Sequence, residues 1–203
     1  MVEVTPYQSI PVDLAEGTPA RPQLLLTATA LVSASVLVGY MSLVGYYLSV
    51  RADVLDRGGV WLPSGTVIPL TQPNYMMLTL TFSVVTALWA LQAVRNDDRA
   101  NAFIAFGLTV LFGFSQLVQT GFLLTLMELP ASDGERAALL YALIGTQLVL
   151  TGLAMGYLVL TTLRTIGGGF SARDYEGVLS ATIFWIVTVG VYSVLWYAVY
   201  ITK

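Results

Sequence analysis

The chain has 203 residues, of which 56% are hydrophobic and only 10% charged, where an ordinary soluble domain carries about a quarter. Its mean hydropathy of +0.76 makes lipid the solvent for most of it. It contains no cysteine and no histidine, which excludes disulfides and thiolate or imidazole metal ligands. The net charge of −3 gives no reason to expect a nucleic-acid partner.

The opening stretch MVEVTPYQSIPVDLAEGTPARPQ is acidic and proline-rich, unlike the basic start of a cleaved signal peptide. It reads as a polar N-terminal tail over 1–23, retained and either disordered or docked on a neighbour. Beyond it, a transmembrane domain fills 24–203. A helix needs about 20 mostly apolar residues to cross the hydrocarbon core, and the first such run is 24–50. The linker that follows, RADVLDRGGVWLPSGTVIPLTQPN over 51–74, is broken by Gly and Pro, and Trp61 suits a membrane interface. The second run is 75–94, closed by the polar turn RNDDRAN. The third is 102–127, closed by ELPASDGER. The fourth is 137–163, followed by RTIGGGFSARDYEG, and the fifth is 178–201. The fold class is therefore all-α: a polytopic membrane protein, a bundle of five transmembrane helices. The continuous apolar runs exclude a β-barrel, whose strands alternate over about ten residues. No internal repeat of the kind found in inverted-repeat transporters stands out.

Charged residues fall outside these runs or at their ends, as the cost of burying charge in hydrocarbon requires. The polar residues left in the spans are hydroxyls and amides. On the third helix, Ser115, Gln116, Gln119 and Thr120 cluster, with Gln116 and Gln119 three apart. On the fourth stand Thr146, Gln147 and Thr151. These read as helix-packing hydrogen-bond partners, Gln116, Gln119, Thr146 and Gln147 above all, with a polar pocket as the other reading. Gly152 and Gly156 form a GxxxG, and Ser35 and Gly39 a small-xxx-small pair, spacings that let helices approach closely within the chain or across to a partner. Trp185 and Tyr192, seven apart, share a face suited to helix packing. The aromatics beyond them, Trp196, Tyr197 and Tyr200, read as an interfacial belt. Arg21, Arg95, Arg99, Arg164 and Arg173 lie on one side, and Arg51, Arg57, Arg136 and Lys203 on the other. That slight excess places the N-terminus in the cytoplasm and the C-terminus outside.

Four stretches carry a family resemblance: YYLSVRAD at the end of the first helix, WLPSG…IPLTQPNYMML across the first linker, LLYALIGTQLVLTGL in the fourth helix, and FSARDYEGVLSATIFW leading into the fifth. In order and spacing the chain resembles subunit III of the haem-copper (cytochrome c) oxidases, in a short five-helix form, over about residues 30–203. The resemblance also marks departures. Val36 stands where the family carries a glutamate. Gln116 and Gln119 stand for its Gln-x-x-Glu, and Thr146 and Val149 fall near its two fourth-helix histidines. Ile186 and Val189 replace a histidine and an acid in the last helix.

The resemblance implies a non-catalytic, stabilising and lipid-binding subunit of a respiratory complex in the cell (inner) membrane. It implies partnership with the haem-copper oxidase catalytic subunit I, other oxidase subunits and phospholipids. Haem and copper are expected in those partner subunits, and no cofactor on this chain. Arg95, Arg99, Arg164 and Arg173 are candidates for meeting lipid headgroups. The alternatives are an accessory subunit of a nitric oxide reductase or another membrane enzyme, and a small transporter.

Overall fold

The computed structural model describes residues 23–61, 70–127, 134–169 and 174–202. The tail over 1–22, Arg173 and Lys203 lie outside the described residues, as do 62–69 of the first linker. Five helices follow one another: α1 (Leu24–Asp56), α2 (Thr71–Arg95), α3 (Arg99–Leu126), α4 (Glu135–Ile166) and α5 (Glu176–Leu195), the last continued by a π-helical turn over Trp196–Ile201. All five are long and apolar enough to cross a membrane. The chain is a five-helix, multi-pass membrane bundle.

The helices outrun the apolar stretches that announce them. At 33 residues, α1 is about 50 Å long, against a hydrocarbon core of about 30 Å. Hydropathy marks where lipid ends, but the backbone ladder continues into water until a specific stop. The stops are alike. Gly58, at φ 75°, ends α1, with its N–H donating to the Leu55 carbonyl and that of Gly59 to Val54, both at 2.9 Å. Gly168, at φ 77°, ends α4, with Gly169 N–H on the Arg164 carbonyl at 2.8 Å. Asp97, at φ 53°, plays the same part after α2, and Asp98 N–H reaches the Ala93 carbonyl at 2.9 Å. In each, a left-handed residue lets two successive N–H groups satisfy the last carbonyls. Asp98 then caps α3, its carboxylate accepting from Asn101 N–H at 3.1 Å and from the Asn101 side chain at 2.6 Å. Two helices thus join through three residues.

Successive helices run antiparallel, so the bundle has an Arg95 end and an Arg51 end. At the first, Glu176 of α5 accepts the backbone N–H of Leu26 at 3.0 Å, and the Arg95 guanidinium lies 4.6 Å from the Tyr175 ring centre. At the second, Arg51 donates to the Thr202 hydroxyl at 2.8 Å and to the Thr202 carbonyl.

The central post is α5, which packs on α1, α2 and α4, while α3 packs on α2 and α4. In the most apolar stretch of each helix, 61% of α5 residues are buried against 17% of α1. The first helix therefore gives most of its surface to lipid or to another protein.

Two aromatic expectations change. Trp61 is buried rather than interfacial: its indole N–H donates to the Tyr47 hydroxyl at 3.1 Å, and the two rings meet edge-on at 5.3 Å. Tyr200 is 1% exposed, while Tyr197 is 61% exposed. The wider π-helical turn, closed by Thr202 N–H on the Tyr197 carbonyl at 3.1 Å, turns Tyr200 into the core with Tyr40, Tyr47 and Tyr192.

Candidate functional site: the polar interior and the arginine rim

A polar layer crosses the middle of the bundle. Most of its hydroxyls serve their own helices. Thr109, Thr120, Thr151 and Thr188 each donate to the carbonyl four residues earlier, at 2.8 to 2.9 Å. That habit satisfies a hydroxyl in hydrocarbon without any tertiary contact, and so it leaves few hydroxyl protons for a neighbour.

The bonds that join helices come mainly from aromatic side chains. Trp185 donates to Ser83 Oγ at 2.9 Å and Tyr192 to the Pro73 carbonyl at 3.1 Å, both linking α5 to α2. Tyr40 donates to the Leu143 carbonyl at 3.2 Å, linking α1 to α4. Thr86 and Thr109 share a hydrogen bond at 2.8 Å between α2 and α3. Near the start of α2, the Pro73 carbonyl lies where the Tyr192 hydroxyl can reach it. Trp185 and Tyr192 do share one packing face, and that face meets α2.

The four predicted packing residues divide. Gln147 is buried and donates from Nε2 to the Thr188 carbonyl of α5 at 3.2 Å, with Thr151 Oγ1 at 3.4 Å. Gln116 is 1% exposed, and neither polar atom of its side chain has a hydrogen-bond partner among the described residues. Gln119 is only partly buried and donates to Ser115 within its own helix at 2.9 Å. Thr146 sits on the exposed side of α4. The three-residue spacing of Gln116 and Gln119 leaves them about 60° short of a full turn, enough to put one inside and the other at the rim of the interface. An unpaired polar group of this kind costs about 1–3 kcal/mol.

The glycine pair also lies elsewhere than a packed seam within the chain. Gly156 is exposed, Gly152 is partly exposed, and a Cβ at either would meet nothing within 4 Å. Ser35 and Gly39 likewise face outward. The close approach occurs at Gly113, where a Cβ would come 2.9 Å from Trp185 Cη2 and 3.2 Å from Met155 Sδ. Gly113 stands four residues after Thr109, a small-xxx-small spacing like that of Ser35 and Gly39, and the sequence alone does not rank one such pair above another. Only the arrival of an indole from α5 makes the missing side chain necessary.

At the Arg95 end, Arg95, Arg99 and Arg164 are exposed. Arg99 lines a pocket with Val94, Asp97, Asp98, Ala102 and Thr165, so two carboxylates share the rim with the cations. Hydrogen bonds from the Asn101 side chain and then its backbone N–H hold the Asp98 carboxyl below its usual range. Among the described residues no three His, Cys, Asp or Glu side chains gather in a way that would hold a metal ion.

No family model matches the chain. It is similar to proteins named cytochrome c oxidase subunit 3 from Salmo salar, Oncorhynchus clarkii and Oncorhynchus mykiss, each 24% identical over 157 residues. That alignment takes in 76% of this chain and 60% of each relative. The chain therefore resembles an oxidase subunit over most of its own length and spans about 60% of the length of the curated relatives it matches.

Proposed function

We propose that this chain is a non-catalytic, subunit III-like component of a cytochrome c oxidase-type complex in the cell membrane, where it stabilises the catalytic subunit and binds phospholipid. The observation that carries this reading is the similarity to proteins named cytochrome c oxidase subunit 3 over 76% of the chain, in a protein built as five apolar helices. In this reading the N-terminus is cytoplasmic and the C-terminus outside, as the arginine distribution suggests. Haem and copper belong to the partner subunits, and the oxidase catalytic subunit is the principal neighbour.

The chemistry of the chain supports a role in assembly. The outward-facing small residues Ser35, Gly39, Gly152 and Gly156 leave room for another helix to approach closely, and association in lipid rests on such packing because acyl chains compete equally for apolar faces. Arg95, Arg99 and Arg164 are exposed at one end, where, with Arg173, they would meet phosphate headgroups. The two glutamates and two fourth-helix histidines of the resembling family are replaced here by Val36, Gln119, Thr146 and Val149, side chains that do not titrate in the physiological range. A share in proton supply is therefore not part of this role.

Purification through a tag on this chain tests the proposal. A haem-copper catalytic subunit and phospholipid should accompany it through mild detergent. Recovery of a self-contained homo-oligomer that moves a solute across liposomes would overturn the proposal.

A further inference from the structure

Between the α2–α3 turn and the end of α4 lies a cleft lined by Val94, Asp97, Asp98, Arg99, Ala102 and Thr165. Val94, Ala102 and Thr165 are buried, while Asp97 and Arg99 are exposed at the mouth. The cleft sits where the apolar stretches of α2 and α3 end, so a molecule entering it is at the level of lipid headgroups.

The lining carries both signs of charge without joining them. The Arg99 guanidinium pairs with no other described residue. The Asp98 carboxylate takes one hydrogen bond on each oxygen, both from Asn101, which leaves about two of the roughly four acceptor positions of a carboxylate. Those bonds hold its carboxyl below the usual range, so it is ionised at neutral pH. Thr165 spends its proton on the Thr161 carbonyl at 2.9 Å, so towards the cleft its oxygen can only accept. A ligand that satisfies this lining brings N–H donors to Asp98 and Thr165 and an anion to Arg99. An anionic phospholipid or free phosphate suits Arg99 but sets like charge against two carboxylates. A choline headgroup is cationic but offers no N–H. A bare cation would sit beside the guanidinium.

We propose that this cleft selects a phospholipid whose headgroup bears a primary amine, phosphatidylethanolamine. Its phosphate meets the Arg99 guanidinium, and its ammonium donates to Asp98 and Thr165. Phe103, Ile104 and Ile166 are exposed at the same end and offer apolar surface to the acyl chains, which favours the lipid over a soluble amine-phosphate. The inference deepens and rests on the phospholipid part of the proposed function, and it does not need the oxidase partner.

Native mass spectrometry tests it, on the tagged full chain with any subunit that accompanies it. The protein is released from nanodiscs holding equal amounts of phosphatidylethanolamine, phosphatidylcholine and phosphatidylglycerol with the same acyl chains. Phosphatidylethanolamine should be retained about fivefold over phosphatidylcholine, the upper range for exposed ion pairs. The preference should fall stepwise through its N-methylated derivatives, a series that needs no variant. Arg99→Gln and Asp98→Asn, the second keeping a capping oxygen, should each bring retention down to the phosphatidylcholine level. Arg57→Gln, exposed at the opposite end, should leave the preference intact. Equal retention of all three lipids would overturn this inference and leave the proposed function standing, whereas absence of any bound phospholipid would overturn both. Preference for phosphatidylglycerol, insensitivity to N-methylation, or an equal loss in Arg57→Gln would also overturn it. Displacement of the lipid by equimolar glycerophosphoethanolamine would overturn the lipid as occupant.

Discussion

Gly113→Ala offers the sharpest test of how the bundle is held. A methyl group there would lie 2.9 Å from Trp185 Cη2 and 3.2 Å from Met155 Sδ, both inside ordinary contact distance. Met155 is flexible and can yield. Trp185 cannot easily do so, because it is fully buried and its N–H is held by Ser83 at 2.9 Å. Overpacking of this kind costs about 1–3 kcal/mol. Replacing a mid-helix glycine by alanine returns about 1 kcal/mol of helix propensity. The net expectation is a loss of up to about 2 kcal/mol. The burial itself contributes little in a membrane, since lipid tails solvate apolar groups as well as the core does, so the measured effect is packing. Trp185→Phe removes Cη2 and with it the clash. The two substitutions together should therefore be less damaging than their sum by about 1 kcal/mol, beyond the roughly 0.3–0.5 kcal/mol within which independent sites add. Reversible unfolding in mixed micelles, read by tryptophan fluorescence and circular dichroism, measures each corner of the cycle. Net stabilisation by Gly113→Ala, or strict additivity, would refute the close contact.

Two further outcomes follow from the polar layer and from the rim. Gln147→Leu removes the bond to the Thr188 carbonyl and should cost about 1 kcal/mol, in the range seen for interhelical hydrogen bonds in membranes. Gln119→Leu breaks only a bond to Ser115 on its own helix and should stay within about 0.5 kcal/mol, measured by the same unfolding assay. The Asp98 carboxyl is held below its usual range by Asn101, so its capping contribution is present in full above the unfolded carboxylate value of about 3.9. It should be lost as pH falls through the lower folded value. Melting midpoints should therefore decline more steeply on acidification in the natural protein than in Asp98→Ser, which keeps a capping oxygen that does not titrate. Parallel curves would remove Asp98 from the account.

Hydropathy alone determined the number of helices and their order in the chain, because a helix crossing lipid must be apolar over about 20 residues whatever it packs against. Glycines placed after charged turns, such as Gly58 and Gly168, were visible as breaks for the same local reason. Which face of each helix turns inward was decided only in three dimensions. In a soluble helix one polar face marks the outside, but here lipid and core are equally apolar, so periodicity carries almost no signal. Gln116 and Gln119 look equivalent in sequence and separate into a buried amide and a half-exposed one. Gly152 and Gly156 match a packing motif yet face away from the bundle, while Gly113, paired only with Thr109 at the looser small-xxx-small spacing, takes the indole of Trp185. Trp61 and Tyr200 looked interfacial by position and became core, one through a hydroxyl on α1 and the other through a widened final turn. Those outcomes depend on the partners that other helices bring to each residue, and neighbours along the chain do not encode them.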